Sequence, residues 1–199
     1  VHMTVGRFAY TPVFGIVYDN DGDGIKFNYK TGKLGGDAFV MRLGFSNYTA
    51  PLDATQAFRG NNQVFGGLLS YTFDDKANVQ AAYYNLDSRG DNQLDFDILE
   101  VALSYKVVKN VELWGEYIRG GNKLDTYDVD RNGFAGGVRF GNPNRSKAGT
   151  WGLRAAYYDV PAAGNIATTV DLDITPLGDG YKGYQVGATW IPIKNIDVN

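Results

Sequence analysis

Residues 96–119 read FDILEVALSYKVVKNVELWGEYIR. From Ile98 to Val107 the alternation is unbroken. Leu99, Val101, Leu103, Tyr105 and Val107 take one parity; Ile98, Glu100, Ala102, Ser104 and Lys106 take the other. Strand side chains alternate faces with period two, so this is a strand with one apolar face and one mostly polar face. A tight turn at Val108–Asn110 leads into a second strand. There Val111, Leu113, Gly115 and Tyr117 alternate with Glu112, Trp114, Glu116 and Ile118. A turn centred on Lys109 sets Lys106 opposite Glu112 on the polar face.

The same pattern extends in both directions. Strands are predicted at roughly 3–9, 24–31, 37–47, 62–73, 79–87, 96–107, 111–119, 133–141, 150–159, 183–193 and 195–199. The apolar parity carries Ile25, Phe27 and Tyr29, then Phe39, Met41, Leu43 and Phe45, then Phe65, Leu69, Tyr71 and Phe73. Later it carries Phe134, Val138 and Phe140, then Trp151, Leu153 and Tyr157, then Tyr184, Val186 and Trp190. The opposite parity is polar, small or charged: Lys26, Lys30, Arg42, Ser70, Gln80, Arg139, Arg154 and Gln185 among others. No stretch shows a helical period.

Composition agrees with strands. Of 199 residues 26 are Gly, and 14 Tyr and 11 Phe stand against 2 Met. The net charge of −3 provides no basic field for nucleic acid. With no cysteine there is neither a disulfide framework nor a thiolate zinc site. No apolar run approaches the roughly 18–20 residues of a membrane helix, but barrel strands escape that measure. No signal peptide is read at the front: Val1, His2 and Met3 already belong to a strand, so the chain is expected to be mature or to lack its first part.

The connections alternate in length. Those at 31–36, 74–78, 108–110 and 194–195 are short; 48–61, 120–132 and 160–182 are long; 88–95 and 142–149 lie between. In an up-and-down meander, alternate connections lie at opposite ends, so turns gather at one end and loops at the other. With strands of about ten residues this is the pattern of an outer-membrane barrel. Tyr29, Phe45, Phe73, Tyr105, Tyr117, Phe140 and Trp190 lie toward strand ends on the apolar parity, where an aromatic girdle would be. A soluble sandwich would also alternate, but its strands run shorter, about five or six residues.

The opening VGRFAYTPVFGIVYDNDGDGIKFNY resembles the part of trimeric porins where a strand and a Thr-Pro step lead into the loop folded into the pore. GTWGLRAAYYDVPAAGNIATT and GYKGYQVGATWIPIKNIDVN are similar to the porins of diderm Firmicutes in which a surface-layer-homology domain and a stalk precede the barrel (the OmpM type). This resemblance implies an antiparallel up-and-down transmembrane β-barrel of about sixteen strands, of which about eleven fall within 1–199 as one barrel domain. It further implies a homotrimer in the bacterial outer membrane, in contact with lipid, that passes small solutes and ions. Tethering to the cell wall would run through an N-terminal domain. The chain departs from the pattern at both ends, lacking that domain, the first strands and a terminal aromatic. It is therefore expected to be a partial chain, and the tethering role is not carried onto these residues.

Within that picture Lys26, Lys30, Arg42, Glu100, Lys106, Glu112, Glu116, Arg139 and Arg154 are the candidate pore-lining residues. A turn near Leu34 would place Lys26 across from Arg42, two like charges in register. The loop from Thr11 to Gly24 would fold inward and set Asp19, Asp21 and Asp23 against the basic wall, giving a transverse field at a constriction. Glu100, Glu112 and Glu116 offset part of the positive charge, so strong anion selectivity is not expected. Asp19-Asn20-Asp21-Gly22-Asp23-Gly24 matches the first half of an EF-hand loop, but Lys30 stands where the bidentate Glu belongs. Only a weak Ca²⁺ site at Asp19, Asp21 and Asp23 remains open, and no other cofactor is expected. No catalytic motif is present, and His2 is the only histidine, so an enzyme is not expected. Glu112 and Glu116 lie about 13 Å apart along one strand, too far for a dyad. The leading reading is a general diffusion porin. The alternatives are a structural barrel that anchors the membrane to the cell wall, or a soluble carbohydrate-binding β-domain with the 160–182 loop as its contact surface.

Overall fold

The computed structural model describes residues 1–43, 48–49, 57–58, 61–89, 96–121, 130–161, 164, 166 and 180–199. Eleven strands form one antiparallel sheet in chain order. They are β1 (His2–Tyr10), β2 (Asn20–Thr31), β3 (Leu34–Leu43), β6 (Asn61–Thr72), β7 (Ala77–Arg89), β8 (Phe96–Val108), β9 (Val111–Gly120), β10 (Asn132–Gly141), β11 (Thr150–Val160), β12 (Tyr181–Ile193) and β13 (Ile196–Val198). Two short strands, β4 (Tyr48–Thr49) and β5 (Ala57–Phe58), pair separately within a stretch expected to be loop. The sheet is not closed: β1 and β13 are its edges. Strand existence and order match the alternation, and most boundaries move by one to four residues.

The connections sort as the meander requires. β2–β3, β6–β7, β8–β9, β10–β11 and β12–β13 are joined at one end of the sheet, mostly by tight turns. Gly32 and Asn195 take positive φ (55° and 66°) in two of these turns. In the β6–β7 turn the Asp74 carboxylate accepts the N–H groups of Lys76 and Ala77, each at 2.8 Å. Those bonds hold its carboxyl below the usual carboxylate range. The longer connections join β1–β2, β3–β6, β7–β8, β9–β10 and β11–β12 at the opposite end.

The two faces have opposite characters. The face bearing Leu99, Val101, Leu103, Tyr105, Leu113 and Tyr117 is exposed and apolar, as the hairpin alternation predicts. It continues through Val5, Phe27, Leu69, Phe134, Leu153 and Val186. Tyr29, Phe73, Tyr105, Phe140 and Trp190 lie exposed near the short turns; Tyr117 lies toward the long connections. Phe45 lies outside the described residues. Around the short turns the rings touch: Tyr71 and Phe73 are 4.9 Å apart, Phe140 and Trp151 5.5 Å. The opposite, inner face curls about the segment joining β1 to β2. Ile16, Val17 and Tyr18 of that segment are fully buried. Its Tyr18 hydroxyl meets the Met41 sulfur on β3 at 3.1 Å, and its Phe14 ring lies 4.7 Å from Trp114 on β9.

One strand faces the other way from expectation. Phe39 and Met41 are buried on the inner face, and Arg42 points outward. The cause is the turn. Thr31 pairs with Leu34 across Gly32–Lys33, so Tyr29 faces Gly36, Lys26 faces Phe39 and Asp23 faces Arg42. A turn centred at Leu34 shifts the pairing by an odd number of residues, and an odd shift moves every side chain of the strand to the other face. Hydrophobicity could not decide between the two, because β3 has apolar residues on both parities. The inward site suits an aromatic ring. Gly66 lies directly opposite Phe39, and the Tyr10 ring is 4.4 Å away. Truncation of Phe39 to Ala is expected to cost about 3–5 kcal/mol in denaturant unfolding, and Arg42→Ala within about 0.5 kcal/mol. The reverse order would return β3 to the expected facing.

Candidate functional site

The inner face is divided along the strands. Toward the long connections it is apolar and packed: Met41, Val64, Leu86, Ile98, Ile118 and Val160 are all buried. Toward the short turns it carries charge and leaves space. A cavity of about 380 Å³ there is lined by Lys106, Lys109, Glu112, Arg139, Arg154 and Thr189 with several glycines. A second, of about 250 Å³, runs under Phe14 and Asp19 and shares Arg139 and Arg154 with the first.

Five strands bring the charged residues into one row. Lys106 pairs with Glu112, Glu112 with Arg139, Arg139 with Arg154 and Arg154 with Gly187. The first pair is the one predicted from the hairpin at Lys109. Arg139 donates to Glu112 at 3.2 Å, and its guanidinium lies 5.1 Å from the Phe14 ring centre and 5.6 Å from that of Trp114. Facing aromatic walls on a cation are favourable when water is partly excluded. Arg154 extends over Gly187; a Cβ there would stand 2.7 Å from its Nε.

Glu100 and Glu116 point inward as expected, but they are buried, with 0% and 4% of their surface exposed, and do not face open solvent. They are diagonal neighbours, because Glu100 pairs with Ile118 and Ala102 with Glu116. Tyr84 on β7 donates to Glu100 Oε2 at 2.6 Å. The other three carboxyl oxygens find no donor among the described residues. Buried carboxyls with one donor between them need a shared proton or a cation. Along its own strand Glu116 has Glu112 as its carboxyl neighbour, too far away to pair with it. The partner across the hairpin follows from the Lys106–Glu112 register, which fixes Glu100 two residues off. Tyr84 carries no such signal, since its strand alternates weakly.

Other expected positions are corrected. Lys26 does face inward, but it lies across from Phe39 and over the rings of Phe8 and Tyr10, at 5.0 and 5.3 Å; it is not paired with Arg42. Lys30 lines a separate cavity of about 680 Å³ with His2, Asn28, Asp37 and Ser70. The segment after β1 folds inward as the Thr-Pro step implies. Its acids do not follow. Asp21 and Asp23 belong to β2, which begins at Asn20, and lie exposed on the outer parity. Asp21 approaches Arg7 at 3.7 Å. Only Asp19 stays in the segment, where it accepts the Thr11 hydroxyl at 2.5 Å. The run 20–24 pairs residue for residue with Gly6–Tyr10. It is extended chain and does not wrap as a cation loop does. Of the long 160–182 connection, Ile166 is buried and donates its N–H to the Val17 carbonyl at 3.1 Å.

No protein-family model matches the chain, and no curated protein matches it.

Removal of the Tyr84 hydroxyl takes away the only donor to the buried carboxyl pair among the described residues. Tyr84→Phe is expected to destabilise by about 1–3 kcal/mol. In a Glu100→Leu background the same change should cost far less. A double-mutant cycle by chemical denaturation reads this directly. Equal costs in both backgrounds would mean that the hydroxyl acts elsewhere.

Proposed function

We propose that the chain forms a transmembrane β-barrel wall of an outer-membrane diffusion channel, passing small hydrophilic solutes and ions without catalysis. One observation carries the reading: the faces are inverted relative to a water-soluble protein. A continuous exposed apolar band runs from Val5 on β1 to Val186 on β12, and the charges of the Lys106–Arg154 row lie on the concave side. Soluble monomers seldom expose an apolar patch beyond a few hundred Å². In hydrocarbon the band is the favourable surface, and aromatic rings near the turns suit its boundary with water. The same band argues against a soluble carbohydrate-binding domain.

A membrane role also requires that the edges of β1 and β13 be paired by further strands, because each unpaired backbone group in hydrocarbon costs several kcal/mol. Sixteen strands, the homotrimer and cell-wall tethering rest on the resemblance alone. The passage in this reading runs beside the inward segment, through the two cavities that share Arg139 and Arg154. A second reading, a structural barrel that anchors the membrane, is favoured by the dense packing around Tyr18, Tyr84 and Ile118, which fills the other half of the interior.

Reconstitution into planar bilayers is expected to give stepwise, ohmic conductance. A folded, inserted preparation that passes no current would leave the structural barrel and remove the channel. Leu103→Arg, on the apolar band, is expected to cost about 2–4 kcal/mol of folding free energy in lipid vesicles. A change near zero would take the band out of the bilayer.

A further inference from the structure

The row across β8–β12 has an unbalanced charge. Reading from Lys106 its members are a cation, a carboxylate, two adjacent cations and a glycine. Glu112 stands between Lys106 and Arg139 and is bonded to Arg139. Arg154 has no carboxylate partner among the described residues, and its register neighbour is Arg139. Opposed residues in an antiparallel pair have Cβ atoms about 4.5–5.5 Å apart, and like charges so placed repel. Of the three glutamates expected to offset this charge only Glu112 reaches it; Glu100 and Glu116 are buried in the packed half of the interior. The cavity therefore holds Lys106, Lys109, Arg139 and Arg154 against the single carboxylate of Glu112.

We infer that Arg139 and Arg154, with Lys106 across the cavity, form a binding site for a small multiply charged oxyanion of the phosphate class. Two guanidinium groups from neighbouring strands line one cavity, and their planar sets of N–H donors favour a tetrahedral oxyanion over chloride. The rings of Phe14 and Trp114 lie against the Arg139 guanidinium, which limits its motion. Gly187 leaves room for the Arg154 side chain to lie flat against β12; any Cβ at that position would collide with it. An anion bound here adds to what Glu112 supplies on Arg139 and answers the charge of Arg154, which has no carboxylate partner among the described residues.

This site deepens the diffusion reading, since it lies on the passage proposed above, but its test does not depend on current. Inorganic phosphate is titrated calorimetrically into the detergent-solubilised protein at low ionic strength, with chloride at equal ionic strength as the comparison. Saturable phosphate heats are expected, weakening as salt is raised. Arg154→Gln should reduce the affinity at least tenfold and Arg154→Lys by less. Lys182→Gln, which removes a positive charge from the outer face of β12, should leave it unchanged. Dilution heats alone with the unaltered protein would overturn the site, whatever the variants do, and so would equal responses to phosphate and chloride. Unchanged affinity in Arg154→Gln would overturn it as well. Current without phosphate binding removes the site and keeps the channel; phosphate binding without current removes the channel and keeps the site.

Discussion

Thr31 and Leu34 face each other across Gly32–Lys33, and Val108 and Val111 across Lys109–Asn110. These tight turns fix the register of their hairpins, and in an antiparallel sheet register determines which side chains share a face. The rest of the molecule depends on that constraint. The first turn sends Phe39 and Met41 inward to meet Tyr10 and Tyr18. The second, together with the one-residue register shift between Lys106 and Val108, sets Lys106 against Glu112 and places Glu100 diagonal to Glu116. Backbone hydrogen bonding alone would accept other registers; turn geometry selects among them.

The interior divides because of the residue types each strand delivers at each level. Near the short turns the inward positions are Lys106, Glu112, Arg139 and Arg154. Further along the same strands they are Ile98, Ile118, Ala135 and Val160, and the inward segment closes over them. Burial of these groups supplies hydrophobic free energy of the ordinary kind, about 25 cal/mol for each Å² removed from water. The carboxyl pair lies at the boundary. Its cost is offset in part by the Tyr84 hydroxyl, which donates to Glu100.

Much of this was legible in the chain. Strand after strand could be placed from period-two alternation, because an apolar outer face and a polar inner face make the period conspicuous, as in Leu99–Val107. Facing was legible wherever one parity was clearly polar. It failed at β3, where Ala38, Phe39, Val40 and Met41 make both parities apolar and a misplaced turn decided the outcome. Asp21 and Asp23 were misassigned for a related reason. Acidic, glycine-rich sequence reads as loop, but pairing with Gly6–Tyr10 extends the strand through it. Burial was the least accessible property. Glu100 and Glu116 look like solvated charges until the segment carrying Ile16–Tyr18 is laid against the wall, and that placement depends on contacts far apart in the chain.

The contact between Phe14 and Trp114 has a consequence for assembly. The segment that makes it is held at both ends, since β1 and β2 pair as far as Tyr10 and Asn20. Within it Val13 takes a φ of 51°, which a β-branched residue tolerates only when its surroundings enforce it. The hairpins on either side close over short loops and form from local contacts. Phe14 can reach Trp114 only after β3 and β6–β9 have joined in register and the sheet has bent. Such a non-local contact carries a large closure entropy, and its reward comes last. The inward segment is therefore a late-docking part of the fold. Until it docks, Glu100, Glu116 and their aromatic neighbours remain hydrated, and the curl of the sheet lacks its internal brace.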